Sequence, residues 1–327
     1  MQTQAIVIVE PFKVELRTVD VPDPEPHEVV ARTLVSGISV GTERHYITGV
    51  YANMGADVPA HYPFATGYQR CGVIEHVGAE VTGLAAGDLV IMGRSRLSDS
   101  SLKGGAGHIG IGVLDARQAY KLPTGVSPVS AALWVMAGVG LHGARMTAIR
   151  PGEIVAVIGL GMIGQMAAQA ARLRGARVLA SDRDAKRVEL GKNSADEVFQ
   201  GTAEEFAEFT LAKYPNGVDV VADSGAKVDV WDTCQRMARR EGRINLQGYY
   251  PGVFQIDSYN AHVRRMQAFF PSGYDDPNGI AAELPKFDMQ PLITHRFPVS
   301  EAENAYDLVI RSPKEIVGAV IDWRTGS

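Results

Sequence analysis

The strand pattern Ile154-Val-Ala-Val-Ile158 runs directly into Gly159-Leu-Gly161-Met-Ile-Gly164, and a helical pattern from Met162 to Arg174 follows. A strand, a glycine turn and a helix in that order leave few folds open. Gly159 permits the tight turn, Gly161 lets the backbone approach a diphosphate, and Gly164 lets the helix pack against the strand. The first N–H groups of that helix, those of Met162, Ile163 and Gly164, have no intrahelical acceptor and so favour an anion. The next strand, Arg177 to Ser181, delivers Asp182 to the place where a carboxylate can accept from a ribose 2′-hydroxyl and repel a 2′-phosphate. Arg183 beside it could pair with such a phosphate or stack near an adenine. The whole predicts a nicotinamide dinucleotide, NAD in preference to NADP.

The alternation continues on both sides. A helical stretch from Ser130 to Thr147 precedes the motif. A helix at Ala185 to Lys192, a strand at Val218 to Asp223, a helix at Val230 to Arg239 and a strand at Arg243 to Gln247 follow it. Strands alternating with helices make a doubly wound parallel sheet, the Rossmann arrangement, whose strand ends at Ser224 and Gly248 face a bound dinucleotide. Residues 4 to 122 differ. Short β-branched runs (Ala5 to Val9, Val29 to Val35, Val73 to Val77, Leu89 to Met92) are broken by Gly, Pro, Asp and Asn, as in an antiparallel β lobe with long loops. After Phe287 a tail containing Leu292 to Phe297, a helix near Ser300 to Ile310 and Gly318 to Trp323 returns to the first lobe. The expected division is 1–125, 126–286 and 287–327.

A chain of 327 residues exceeds what one hydrophobic core of roughly 250 to 300 residues serves, which agrees with two lobes. A net charge of −5 without a Lys/Arg-rich block excludes a nucleic acid or an anionic membrane as an electrostatic partner. Two cysteines, Cys71 and Cys234, rule out a disulfide scaffold and any four-thiolate zinc site. The first ten residues lack the basic and long apolar regions of a signal peptide, and a cytoplasmic location is expected.

In this order of lobes the chain resembles the medium-chain dehydrogenase/reductases, which join a GroES-like antiparallel β catalytic domain to a Rossmann domain and are expected to form homodimers through the Rossmann sheet edges. Zinc members carry Gly-Ile-Cys-Gly-Thr/Ser-Asp-x-His; the corresponding stretch here is Gly37-Ile38-Ser39-Val40-Gly41-Thr42-Glu43-Arg44-His45. Their Gly-His-Glu-x-x-Gly is matched by Gly67-Tyr68-Gln69-Arg70-Cys71-Gly72, and their third ligand by a segment containing Trp134 and Met136. Zinc binds thiolate, neutral imidazole or carboxylate in tetrahedral array, and Ser, Tyr and Gln do not replace that set. No catalytic metal is expected. Ser36 to Glu43, Tyr62 to Tyr68, Leu292 to Arg296 and Ile321 to Trp323 resemble the zinc-less bacteriochlorophyllide dehydrogenases most closely.

What that resemblance implies is hydride transfer between NAD and a small secondary alcohol or its ketone. Tyr68, in the former imidazole's place, would hydrogen-bond the reacting oxygen, while Thr42 and His45, on the family's Thr-x-x-His relay, would move the proton outward. His108, in Gly104-Gly-Ala-Gly-His108, falls on a loop that touches substrate and is the rival acid/base group. Ser39, Glu43, Trp134 and Met136 would line the pocket, with Glu43 bracing its loop against a cation such as Arg70. A C=C reductase of the enoyl or quinone type and a non-enzymatic nucleotide sensor share the same plan and remain alternatives.

Overall fold

The computed structural model describes residues 1–50, 61–102, 104–250 and 252–325. They form two compact units, Met1–Trp134 with Met289–Ser327, and Val135–Asp288.

The second unit is built on a six-stranded sheet whose described strands all pair in parallel. Its order is Glu197–Gln200, Arg177–Asp182, Ile154–Ile158, Val218–Asp223, Ala238–Leu246, Gln267–Phe269. Ile154–Ile158 is therefore central, and Val155, Ala156 and Val157 are buried, as a strand covered on both faces requires. The chain crosses to the other half of the sheet only after three strands. The carboxyl ends of Ile154–Ile158 and Val218–Asp223 thus lie side by side at the switch of direction, where open α/β sheets bind ligands. The helix Met162–Leu173 presses Met166, Ala167, Ala168, Ala170 and Ala171 onto that sheet. Two glutamines lie buried on it: Gln165 donates through Nε2 to Leu160 O and Arg187 O, and Gln169 bonds Ser194 and Asp288 through both ends of its amide.

Two of the departures from expectation lie on the chain around the parallel sheet. The Ser130 to Thr147 stretch is two helices, Pro128–Ala131 and Trp134–Met146. The helix expected at Val230 to Arg239 ends at Met237, because Ala238 already turns to extended backbone and pairs with Val218. A bulge then carries Glu241 at φ +60° before the ladder resumes at Arg243.

The first unit holds an antiparallel three-stranded sheet, Lys13–Asp20, Gln2–Glu10 and Phe64–Ala65. A seven-stranded sheet is built around the long strand Glu28–Ile38. That strand pairs with Arg70–Val77 on one side and with Ile111–Asp115 and then Gly318–Asp322 on the other. The parallel neighbour of the last strand is Ile293–Pro298, so the C-terminal segment completes this sheet. The helix Ala302–Arg311 buries Ala302, Ala305, Tyr306 and Val309 against Ile6, Ile8, Ile38 and Ile47. Its apolar positions recur every three to four residues, which is why it was legible as a helix. No described helix is long and apolar enough to cross a membrane.

Candidate active site in two parts

In the second unit the glycine turn is stereochemically demanding. Gly159 sits at φ +87°, in the left-handed region that only glycine occupies without strain. A Cβ on Gly164 would lie 1.7 Å from Gly159 O, so helix and turn touch through backbone alone. Gly161 is the N-cap of the helix, and no side chain caps the free N–H groups behind it. A Cβ there would meet only Arg187 Nη1, at 3.8 Å, so the space over the helix N-terminus is open to a ligand. Ser224 packs beside the same turn, and its buried Oγ has no hydrogen-bond partner among the described residues. An open cradle of N–H donors with an orphaned hydroxyl next to it fits a dinucleotide diphosphate.

Asp182 ends its strand with Oδ2 accepting from Leu160 N at 2.8 Å and Oδ1 from Asp184 N at 3.0 Å. These bonds hold the carboxylate at the turn and leave lone pairs for a ribose hydroxyl. Arg183 is exposed. Sequence reasoning missed Arg187, on the following helix, with Nη1 3.7 Å from Asp182 Oδ2 and facing Gly161. A cation one helical turn after a helix N-terminus was its only local signal. Gly248 is required by contact, because a Cβ would be 2.8 Å from Ala226. Asp223, at the end of its strand, accepts from Tyr250 OH, Gly225 N and Ala226 N. Burial nevertheless pushes its carboxyl above the usual range.

In the first unit Ser39 stands at the N-cap position, without a capping side-chain bond, of a helix, Val40–Ile47, that carries Thr42, Glu43 and His45. Thr42 and His45 are partly exposed. Burial, with Arg44 adding to it, holds the His45 imidazole below its ordinary pKa. Tyr68 is partly exposed between the buried Gly67 and Gln69. The guanidinium of Arg94 stands over its ring at 6.0 Å, tied to Gly67 O through Nε at 3.5 Å.

Five expected pocket or catalytic residues are interior. Glu43 and His108 are both 0% exposed and face one another, Nε2 to Oε2 at 3.1 Å. Glu43 is not braced by Arg70, whose Nε and Nη1 go to Gly93 O and Thr33 Oγ1. Trp134, 1% exposed, donates its indole N–H to Met92 O, and Met136 is buried as well. Their match to the third-ligand segment made these two look available, whereas apolar residues at helical spacing report core packing first. Ser39 is also buried, its N–H given to Glu43 Oε1 at 2.8 Å.

The same positions do not make a zinc site. Ser39 and Val40, Tyr68, and Gln69 offer no thiolate, imidazole or carboxylate, and the carboxylate of Glu43 is already filled by donors. Cys71 is buried in a strand, and burial pushes its thiol up to about 12. Among the described residues no group of three His, Cys, Asp or Glu side chains converges.

Two family models match: the alcohol dehydrogenase GroES-like domain over residues 25–124 and the zinc-binding dehydrogenase over residues 163–284. The sorbitol dehydrogenase of Arabidopsis thaliana is 28% identical over 90% of this chain and 88% of its own length. In fold, the chain superposes on a Sinorhizobium meliloti 1021 protein described as a zinc-binding dehydrogenase and bound to NADP. That match has a TM-score of 0.85 at 21% identity over 98% of this chain and 99% of that one. A short chain alcohol dehydrogenase from Escherichia coli CFT073, complexed with NADH, gives a TM-score of 0.84 at 20% identity and the same coverage.

Proposed function

The chain belongs to the medium-chain dehydrogenase/reductase superfamily, and on that premise we propose that it is a zinc-independent, NAD-dependent dehydrogenase of a secondary alcohol or polyol. The observation that carries the reading is the open glycine cradle with Asp182 at its edge, in a chain whose former metal positions hold Ser39, Tyr68 and Gln69. Sorbitol oxidation by the Arabidopsis relative favours a polyol over a tetrapyrrole side chain as the substrate class.

Bound NAD supplies the hydride acceptor. The Met162–Gly164 amides would hold its diphosphate, and Asp182 would accept from the ribose 2′-hydroxyl. Ser224 and Gly248 shape the space at the strand ends. Tyr68, as the phenolate, would hydrogen-bond the reacting oxygen and take its proton. The Arg94 guanidinium over the ring would favour the phenolate that accepts this proton. Thr42 relays the proton to His45, whose lowered pKa keeps it neutral at pH 7 and able to accept. The reading includes a homodimer through the edge strand Gln267–Phe269, after which Phe270 is exposed, and a cytoplasmic location.

The test is a panel of secondary alcohols, polyols and ketones followed by NADH absorbance, with Tyr68→Phe run on the best substrate. Tyr68→Phe should lower kcat and kcat/KM together by roughly 10² to 10⁴, with NADH affinity unchanged. Turnover of no alcohol or ketone, or turnover only of an activated C=C bond with NADPH, overturns the proposal.

A further inference from the structure

One heavily bonded side chain of the first unit is buried away from any surface. Glu43 accepts from Ser39 N at 2.8 Å, from Thr66 Oγ1 at 2.9 Å, from Tyr306 OH, and from His108 Nε2 at 3.1 Å. His108 Nδ1 meets Ser36 Oγ at 2.7 Å, and the same oxygen accepts from Trp323 Nε1 at 2.8 Å. Because Nε2 faces only a carboxylate, it must carry the proton. Burial pushes the Glu43 carboxyl up, but the adjacent His108 and the bonds from His108, Tyr306 and Ser39 outweigh it and hold the group below the usual range. Every polar atom of this chain of contacts has a partner, the condition under which a buried polar network specifies one arrangement.

Its members come from separate elements. Ser36 lies on the strand Glu28–Ile38, Glu43 on the helix that carries Thr42 and His45, and Thr66 just after Phe64–Ala65. Tyr306 lies on Ala302–Arg311, and Trp323 follows the last strand. His108 adds a steric link. A Cβ on Gly67 would lie 2.4 Å from its ring, and one on Gly107 would lie 2.3 Å from Tyr68 N. The imidazole therefore supports the turn from which Tyr68 projects, while its Nε2–H holds the helix of Thr42 and His45.

We propose that the Glu43–His108–Tyr306 cluster is a metal-free tether that holds Tyr68 in register with Thr42 and His45, with Tyr306 as its positioning residue from the C-terminal segment. A metal ion fixes segments by binding side chains from each; a saturated carboxylate can do the same, because each donor it loses leaves a buried charge underbonded. The proposal rests on Tyr68 as the group at the reacting oxygen. His108 is then a positioning residue too, and its burial is what the role requires.

Tyr306→Phe removes one hydroxyl and keeps the ring packed. It should lower kcat at least tenfold, since a displacement of about 1 Å at a reacting group costs about 10²-fold. KM for substrate and NADH affinity should stay within about twofold. In the double variant Tyr68→Phe/Tyr306→Phe the second change should add little, because both act through one hydroxyl. A purely structural loss would instead multiply with the first. Hydrogen exchange supplies a readout free of activity: amides in Val40–Ile47 and Gly67–Gln69 should exchange faster in Tyr306→Phe, and those of Ile154–Ile158 should not. Thr66→Val, which removes another donor to the same carboxylate, serves if Tyr306→Phe folds poorly. Unchanged exchange at both segments overturns the tether whatever the activity. Faster exchange with kcat unchanged, in a protein where Tyr68→Phe is crippling, overturns its role in turnover and leaves the functional reading standing. Faster exchange with a silent Tyr68→Phe overturns that reading instead, and the positioning role with it.

Discussion

Two alanine substitutions three residues apart, Gly161→Ala and Gly164→Ala, should separate what the glycine turn does for folding from what it does for a ligand. The Cβ of Gly164→Ala would stand 1.7 Å from Gly159 O and 2.8 Å from Gly159 C, where ordinary contact begins at 3.4 Å. The shortfall is about 1.7 Å against backbone on both sides, so no side chain can swing away to relieve it. Overpacking of this kind costs up to about 3 kcal/mol. For a unit of this size that lowers Tm by roughly 6 to 12 °C. The retreat of the helix also carries its N–H groups away from a diphosphate. Losing two hydrogen bonds to a charged group removes at least about 3 kcal/mol of binding, or roughly 10²-fold in Kd. Gly161→Ala meets nothing closer than Arg187 Nη1 at 3.8 Å, and its φ of −66° suits any residue. It should leave Tm within about 2 °C while weakening NADH at least about tenfold, because the methyl group takes space the diphosphate needs. Fluorescence titration with NADH and thermal melts of the apo proteins measure both quantities. A Gly161→Ala protein that binds NADH as tightly as the parent, or a Gly164→Ala protein with unchanged Tm, would refute the reasoning.

Asp182→Ala should narrow the preference for NAD(H) over NADP(H), expected to be at least about tenfold, by removing the charge that repels a 2′-phosphate; equal Kd values in the parent would show that Arg187 and Arg183 dominate instead. Turnover and Tm should both survive prolonged incubation with a strong chelator, and elemental analysis should find far less than one zinc per chain; activity lost with the metal and regained on its return defeats the metal-free reading. The folded pKa values of Glu43 and Asp322 are both depressed: burial raises each, but His108 and its companion donors outweigh it at Glu43, and Arg324 with Arg296 outweigh it at Asp322. Each carboxylate therefore contributes stability above its unfolded pKa, near 4.5 and 3.8, and loses it as pH falls through the lower folded value. Urea midpoints should drop below about pH 4.5, and Asp322→Asn should flatten that drop; an unchanged slope would mean that other groups govern the acid limb.

What could be read from the sequence was whatever is decided over a few neighbouring residues. The strands Ile154–Ile158, Val218–Asp223 and Leu89–Met92 have the expected bounds, because an apolar run ended by Gly or Asp carries its own stops. The three glycines were legible for the same reason: one turn imposes all their constraints. The helix Ala203–Lys213 was missed although its signal was present, since Thr202 and Glu205 form a capping box. The helix Val40–Ile47 had no comparable signal. Eight residues including Gly41 and Thr42 do not sustain a helix unaided, and this one is held by the bonds that Glu43 makes to Thr66, His108 and Tyr306, up to 263 residues away. The sequence named Glu43 and His108 as chemically capable and could not tell that they face each other and not a substrate. A side chain's type is local, but whether its charge meets solvent, ligand or a buried partner depends on strands and helices that the chain brings together only after long excursions, and the burial that makes such a pairing obligatory exists only once they have met.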